Sequence, residues 1–236
     1  MLYRMLLFFM AITIIGCNQN TDTKNEAVAD NFGLQKIVVS TANWSDTKGT
    51  MTMMERTLKG APWTIVDSFQ IIVGRNGLAF DEQQQQADAE SPLPKREGDG
   101  CSPAGTFSLG KIFSYHALTD LRMPFQQVGS TDLCVDDVKS KYYNTLINDS
   151  LITEKDYNSF EHMLRDDHQY EYGVWVNYNT NPQVAGNGSC IFLHIYQTPE
   201  TPTSGCTAMS KANMIKLIYW LDANKQPMLI QGVNAR

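Results

Sequence analysis

The stretch "SCIFLHIYQTPETPTSGCTAMS", residues 189–210, governs the reading of this chain. Its first part alternates as a strand does, with Ile191, Leu193 and Ile195 on one face and Phe192, His194 and Tyr196 on the other. His194 therefore does not lie on the most hydrophobic face. Pro199 and Pro202 turn the chain, and Gly205 permits a sharp bend before Cys206, so the cysteine returns alongside the strand. Beyond it, Ser210 can cap a helix whose apolar side is Met214, Leu217, Ile218 and Leu221; "NKQP" closes that helix and "MLIQG" supplies a last strand.

Upstream, "LQKIVVSTA" reads as a first strand on its β-branched run Ile37, Val38 and Val39, while "GTMTMMERTLKG" fits a strand or a short helix. "WTIVDSFQIIVGRNGLAF" reads as strand, bend and strand, with Asn76-Gly77 as a left-handed turn. Residues 81–97 form a polar loop with a run of glutamines, and "GDGCSPAGTFSLG" forces turns before an alternating run through Phe107, Leu109 and Ile112. Phe160, Met163 and Leu164 at helical spacing predict a short helix, followed by a strand "YGVWVNY" with Val174 and Val176 opposite Trp175. Asp136, Asp137, Asp166 and Asp167 come in adjacent pairs and read as solvated loops.

The chain has 236 residues, of which 42% are apolar, which suits one domain with a real core. Its 25 carboxylates against 19 basic residues give a net charge of −6, with no concentrated basic patch, so a nucleic-acid partner is not expected. Neither phosphate-loop pattern is present, which argues against nucleotide binding.

The N-terminus "MLYRMLLFFMAITIIGCNQN" holds Arg4, then an apolar run too short to span a bilayer and suited to a secretory signal. "IIGC" resembles a bacterial lipobox, in which residues 1–16 are removed and Cys17 takes the lipid. Residues 17–33 are polar and read as a tether, which leaves 34–236 as the domain. Export permits disulfides among Cys101, Cys134, Cys190 and Cys206. Spacing does not fix the pairing; Cys134 with Cys190 is preferred because both open short strand-like apolar runs.

A cysteine attacks as thiolate, so a nearby imidazole raises its activity. His194 and Cys206 could form such a pair, with amides around Cys206 aimed at a developing oxyanion and a carbonyl near Ile195 holding the second ring nitrogen. On these residues alone, a packed histidine beside a small buried thiol and a metal site stay open. For zinc, His116, His162 and His168 lack a recognisable ligand spacing.

Residues 188–222, with "GDGCSPAGTFSLG", "CVDDVKSKYYN" and "FEHMLRDDHQYEYGVWVNYN", resemble the L,D-transpeptidase family, the YkuD-like or ErfK-like enzymes of bacterial peptidoglycan. The resemblance runs from about Ile37 to the end and implies a mostly β domain, a twisted sandwich of mixed sheets with small flanking helices. It implies that Cys206 matches the nucleophile, Gly205 its preceding glycine and His194 the group that takes the thiol proton. The implied reaction cleaves the stem-peptide bond before terminal D-alanine and passes the acyl group to an amine; water would make the same site a carboxypeptidase or endopeptidase. No metal or cofactor is needed.

Two positions depart from the commoner family pattern. Ser204 stands where a second histidine is usual, and "CTAM" lacks the arginine that follows the cysteine. Arg165 or His162 could supply the missing positive group to substrate, and Ser204, Gly205 and Ile195 are expected as oxyanion or supporting residues. Tyr170, Tyr172 and Trp175 could wall the cleft, although core roles suit them better. The expectation is an exported protein of the cell envelope, lipid-anchored on the periplasmic side of a membrane, whose partners are peptidoglycan stem peptides. A wall-binding lipoprotein without chemistry is the rival from another class.

Overall fold

The computed structural model describes residues 33–84 and 93–235. The expected signal peptide, the lipidated Cys17 and all of the tether except Gly33 lie outside the described residues, as do two of the four consecutive glutamines. The described chain is mostly β. Its first strands are β1 (Gln35–Thr41), β2 (Lys48–Glu55), β3 (Thr64–Ile72), β4 (Leu78–Phe80), β5 (Ser102–Ser114) and β6 (Phe125–Gln127). There follow β7 (Asp132–Val135), β8 (Thr145–Asn148), β9 (Phe160–His162), β10 (Tyr172–Val176), β11 (Phe192–Ile195) and β12 (Thr207–Met209). One α-helix, α1 (Lys211–Trp220), precedes β13 (Met228–Val233).

Eight strands follow one another in the order β10-β11-β12-β3-β2-β1-β13-β5, and β5 pairs again with β10, so the main sheet closes on itself. Closure removes the two long edges that an open sheet would expose. The sheet is mixed: β1 with β13 and β11 with β12 run parallel, and the other pairs of the ring run antiparallel. A separate antiparallel sheet, β8-β7-β9, lies apart from this ring.

Alternation explains which residues form the core. In β2, Met51 and Met53 are fully buried while Thr52 turns out to Ser68 on β3, which resolves that segment as strand. Ile37, Val39, Val174, Val176, Leu193 and Leu229 join the same core, and α1 adds Met214, Leu217 and Ile218. Truncating one of these to alanine would cost about 2–5 kcal/mol. Ser210 caps α1 as expected, its hydroxyl accepting the Asn213 amide at 3.3 Å.

A second cluster holds Phe113, Cys134, Met163, Tyr170, Cys190, Phe192 and Cys206. The two faces read from "CIFLHIY" thus serve two cores, Leu193 in the first and Phe192 in the second. Cys134 and Cys190 form a disulfide that ties β7 to the residues just before β11.

Two local expectations fail. The helix expected from Phe160, Met163 and Leu164 does not form. Residues Phe160–His162 pair with β7 instead, and Met163 is buried while Phe160 and Leu164 are exposed, so the three do not share a face. At "GRNG" the turn runs from Gly74 to Gly77, closed by the Gly77 amide on the Gly74 carbonyl at 2.8 Å. Only Gly77 has positive φ (77°), so Asn76 is not left-handed.

Candidate functional site

The parallel pairing of β11 with β12 puts Leu193 opposite Thr207 and His194 opposite Ala208. Continuing that register one residue back sets Cys206 beside Phe192. Phe192 and His194 project from the same face, so Cys206 and His194 are diagonal neighbours across the pair. Both line a cleft of about 430 Å³.

His194 is buried, and its Nδ1 lies 2.8 Å from the Ile195 carbonyl. A carbonyl only accepts, so Nδ1 carries the hydrogen and Nε2 is left with its lone pair. The ring stands edge-on to Tyr170 with centroids 5.1 Å apart. Burial holds the imidazole pKa down to about 4; the nearby Arg165 charge adds to this and the Ile195 carbonyl opposes it.

The Cys206 sulfur accepts the Phe192 amide at 3.3 Å, and its thiol donates to the Cys190 carbonyl at 3.5 Å. Burial pushes the thiol well above its usual pKa, with the Glu161 carboxylate adding to the shift and the Phe192 amide opposing it. At rest the pair is therefore a neutral thiol and a neutral imidazole, and the thiol's hydrogen bond runs to Cys190 instead of His194.

The backbone at Cys206 is clamped. Its carbonyl accepts from Thr203 Oγ1 at 2.6 Å and from Ser102 Oγ at 2.7 Å. Gly205 has φ 152°, and a Cβ there would meet the Cys101 carbonyl oxygen at 3.1 Å, so this position calls for glycine. The Gly205 amide is held by Thr203 Oγ1 at 3.1 Å, which makes Gly205 a support in the resting site. Ser204 is exposed on the cleft rim.

Cys190 has φ 55°, and its amide donates to Asn144 Oδ1 at 3.0 Å. Asn144 is braced in turn on the carbonyls of Tyr178 and Asn179. Glu97 holds the preceding residue through Ser189 Oγ at 2.7 Å and also accepts from Tyr143. The motif "CVDDVKSKYYN" thus supplies Cys134 and Asn144, which fix the carbonyl that contacts the thiol.

Arg165 reaches the cleft, but its guanidinium forks onto Asp167 at 2.9 and 2.5 Å and lies over the Tyr170 ring, 5.0 Å from its centroid. His162 does not line the cleft: it is exposed on β9 with its ring 5.3 Å from that of Phe160. Of the three aromatic residues, Tyr170 lines the cleft, whereas Trp175 packs on Phe192 and Tyr172 lies under Lys211.

Sequence reasoning missed Glu161. It is the inward residue of β9, between the exposed Phe160 and His162, and it accepts a hydrogen bond from Tyr170 Oη. Burial raises its carboxyl pKa to about 7; Tyr170 opposes this, Asp136 and Glu97 add to it, and Arg165 opposes it. Asp136 is also no solvated loop residue. It lines the cleft, and its Oδ1 is buried without a hydrogen-bond partner among the described residues. A strand with its acid inward and its aromatics outward inverts the usual pattern, so composition gave no signal for it.

Among the described residues no group of histidine, cysteine or carboxylate side chains could hold a metal ion. None of their helices is long and apolar enough to cross a membrane.

Comparison with curated proteins and with solved structures finds no match. Residues 45–230, more than half of the chain, match the YkuD family, described as the L,D-transpeptidase catalytic domain. That span includes both strands of the cleft and the segments that brace them, so the chain belongs to the YkuD L,D-transpeptidase catalytic domain family, whose chemistry is that of peptidoglycan.

Proposed function

We propose that the protein is a cysteine-dependent acyltransferase that cleaves a peptidoglycan stem peptide before its terminal D-alanine and passes the acyl group to an amine. The observation that carries this reading is one cleft holding both Cys206 and His194, with His194 Nδ1 on the Ile195 carbonyl so that the lone pair sits on Nε2. In this reading the thiol turns from the Cys190 carbonyl to Nε2. The imidazole takes the proton as sulfur attacks the peptide carbonyl carbon, and the same proton goes to the departing D-alanine nitrogen. Because burial disfavours both the free thiolate and the free imidazolium, transfer and attack are coupled.

The remaining assignments belong to the same proposal. Thr203, Ser102 and Gly205 hold the backbone at the nucleophile, Ile195 fixes the histidine tautomer, and Arg165 supplies positive charge near the substrate. Residues 1–16 direct export, and a lipid on Cys17 anchors the domain on the periplasmic side through the polar tether. Incubation with a purified stem tetrapeptide tests the reading. Released D-alanine matched by cross-linked dimer supports transfer, D-alanine matched by free tripeptide makes the protein a carboxypeptidase, and muropeptide binding without D-alanine release overturns the enzymatic account.

A further inference from the structure

Among the ionisable groups of the cleft that the thiol–imidazole chemistry leaves unused is Glu161. Glu161 comes from the small sheet, on the strand that pairs with the Cys134 segment, and so enters the cleft from a different element than His194 and Cys206. Among the described residues its one hydrogen-bond donor is the Tyr170 phenol, whose ring also touches His194. Beside it is Asp136, whose orphaned Oδ1 is a buried acceptor with nothing to accept. A buried acceptor without a donor is costly, and a cationic N–H group entering the cleft would remove that cost. Of the cations that line the cleft, Arg165 is engaged by Asp167 and Lys95 by Asp99 at 2.8 Å, while Arg75 is exposed to solvent. Asp136 Oδ1 and Glu161 Oε1, the oxygen that Tyr170 does not engage, are therefore open to a ligand cation.

We propose that Glu161 is the base that takes the surplus proton from an acceptor ammonium when the acyl chain passes from Cys206 to an amine. This rests on the acyl-transfer reading above. An amine at neutral pH arrives as R–NH3+, whose nitrogen has no lone pair with which to attack. Docked between Glu161 and Asp136, it gives one proton to the Glu161 carboxylate. The freed lone pair forms the new C–N bond at the thioester carbon, and a second proton passes to His194 Nε2. Collapse breaks the C–S bond, the sulfur recovers that proton from the imidazole, and Glu161 releases the first to solvent.

The charges facing Glu161 fit this task. Asp136 and Glu97 raise its proton affinity, Tyr170 and Arg165 lower it, and burial sets the balance near neutrality, where a carboxylate is a stronger base than usual and still ionised often enough to act. Cys206 and His194, both neutral at rest, line the same cleft, as do Lys95, paired with Asp99, and the exposed Arg75. Water needs no such proton removed before it binds, so Glu161 would favour an amine over water.

The test uses the full chain, a stem tetrapeptide as donor and two amines offered separately: glycinamide, largely protonated at pH 7, and methoxyamine, which is neutral there. In the wild type, the ratio of aminolysis to hydrolysis should rise with an inflection near pH 7 for glycinamide and show no such inflection for methoxyamine. Glu161→Gln should still form the acyl-enzyme, with the glycinamide ratio at least about tenfold lower and the methoxyamine ratio unchanged. An unchanged glycinamide ratio in this variant, or equal losses with both amines, would overturn the proposal. If the variant does not fold, the wild type decides alone: a glycinamide ratio that rises only with the amine's own deprotonation, at about pH 8, rejects a role for Glu161. A wild type that forms no acyl-enzyme at Cys206 would instead remove the acyl-transfer reading beneath it.

Discussion

The Cys206 thiol donates to the carbonyl of Cys190, 3.5 Å away, and Cys190 is itself cross-linked to Cys134. The thiol therefore rests against a backbone group whose position is set by the disulfide, by Asn144 and by a left-handed φ of 55°.

Breaking that link should act on both stability and chemistry. The disulfide spans a sequence separation of 56, for which chain entropy gives on the order of 4 kcal/mol. Replacing Cys134 and Cys190 together by serine should lower the denaturant midpoint accordingly and slow acylation of Cys206. Full acylation speed in a destabilised double variant would separate the disulfide from the nucleophile.

The clamp on the Cys206 carbonyl can be tested through Thr203. Thr203→Val removes the hydroxyl that bonds this carbonyl and also accepts the Gly205 amide, leaving one buried group unsatisfied. A stability loss of about 1–3 kcal/mol is expected, with a lower kcat and little change in KM. Thermal melts and steady-state D-alanine release measure the two effects.

His194 and Glu161 should pull the stability profile in opposite directions. His194 titrates near 4 in the folded state against 6.5 unfolded, so the unfolded chain binds the extra proton between these values and stability falls as pH drops through that window, by roughly 3 kcal/mol if uncompensated. Glu161 titrates near 7 folded against 4.5 unfolded, so the folded chain holds the extra proton and stability rises as pH drops from 7 to 4.5. The wild type should be nearly flat from pH 7 to 4.5 in these two contributions. Glu161→Gln should show the His194 loss exposed, and urea melts across this range would reveal a steeper acid slope in the variant.

Burial of the thiol predicts slow alkylation. Peptide mapping after iodoacetamide should show modification of Cys206 at pH 7 far below that of a free thiol, still rising above pH 9, because the folded thiol is shifted upward. A plateau near pH 7 would mean a preformed thiolate.

The alternation of the strands was legible in the sequence. Met51 and Met53, Val174 and Val176, and Ile191 through Ile195 alternate cleanly, and Ser210 announces its helix by capping chemistry. The closure of the sheet was not, because it depends on β5 pairing at once with β13 and β10, which no local pattern encodes. The cleft was half legible. Cys206 and His194 stand out by residue type and by the bend between them, whereas Glu161, Asp136 and Asn144 act through tertiary proximity. Glu161 was further hidden because helical spacing of Phe160, Met163 and Leu164 suggested the wrong period for a three-residue strand.

In the proposed reaction the Cys206 sulfur attacks an acyl carbon with His194 as its proton acceptor. Intact-protein mass spectrometry after exposure to a penem-type β-lactam tests it most directly. The account predicts one covalent adduct that maps to Cys206, slower to form in His194→Ala and absent in Cys206→Ala. An unmodified mass for the folded wild type, or an adduct that persists in Cys206→Ala, would contradict it.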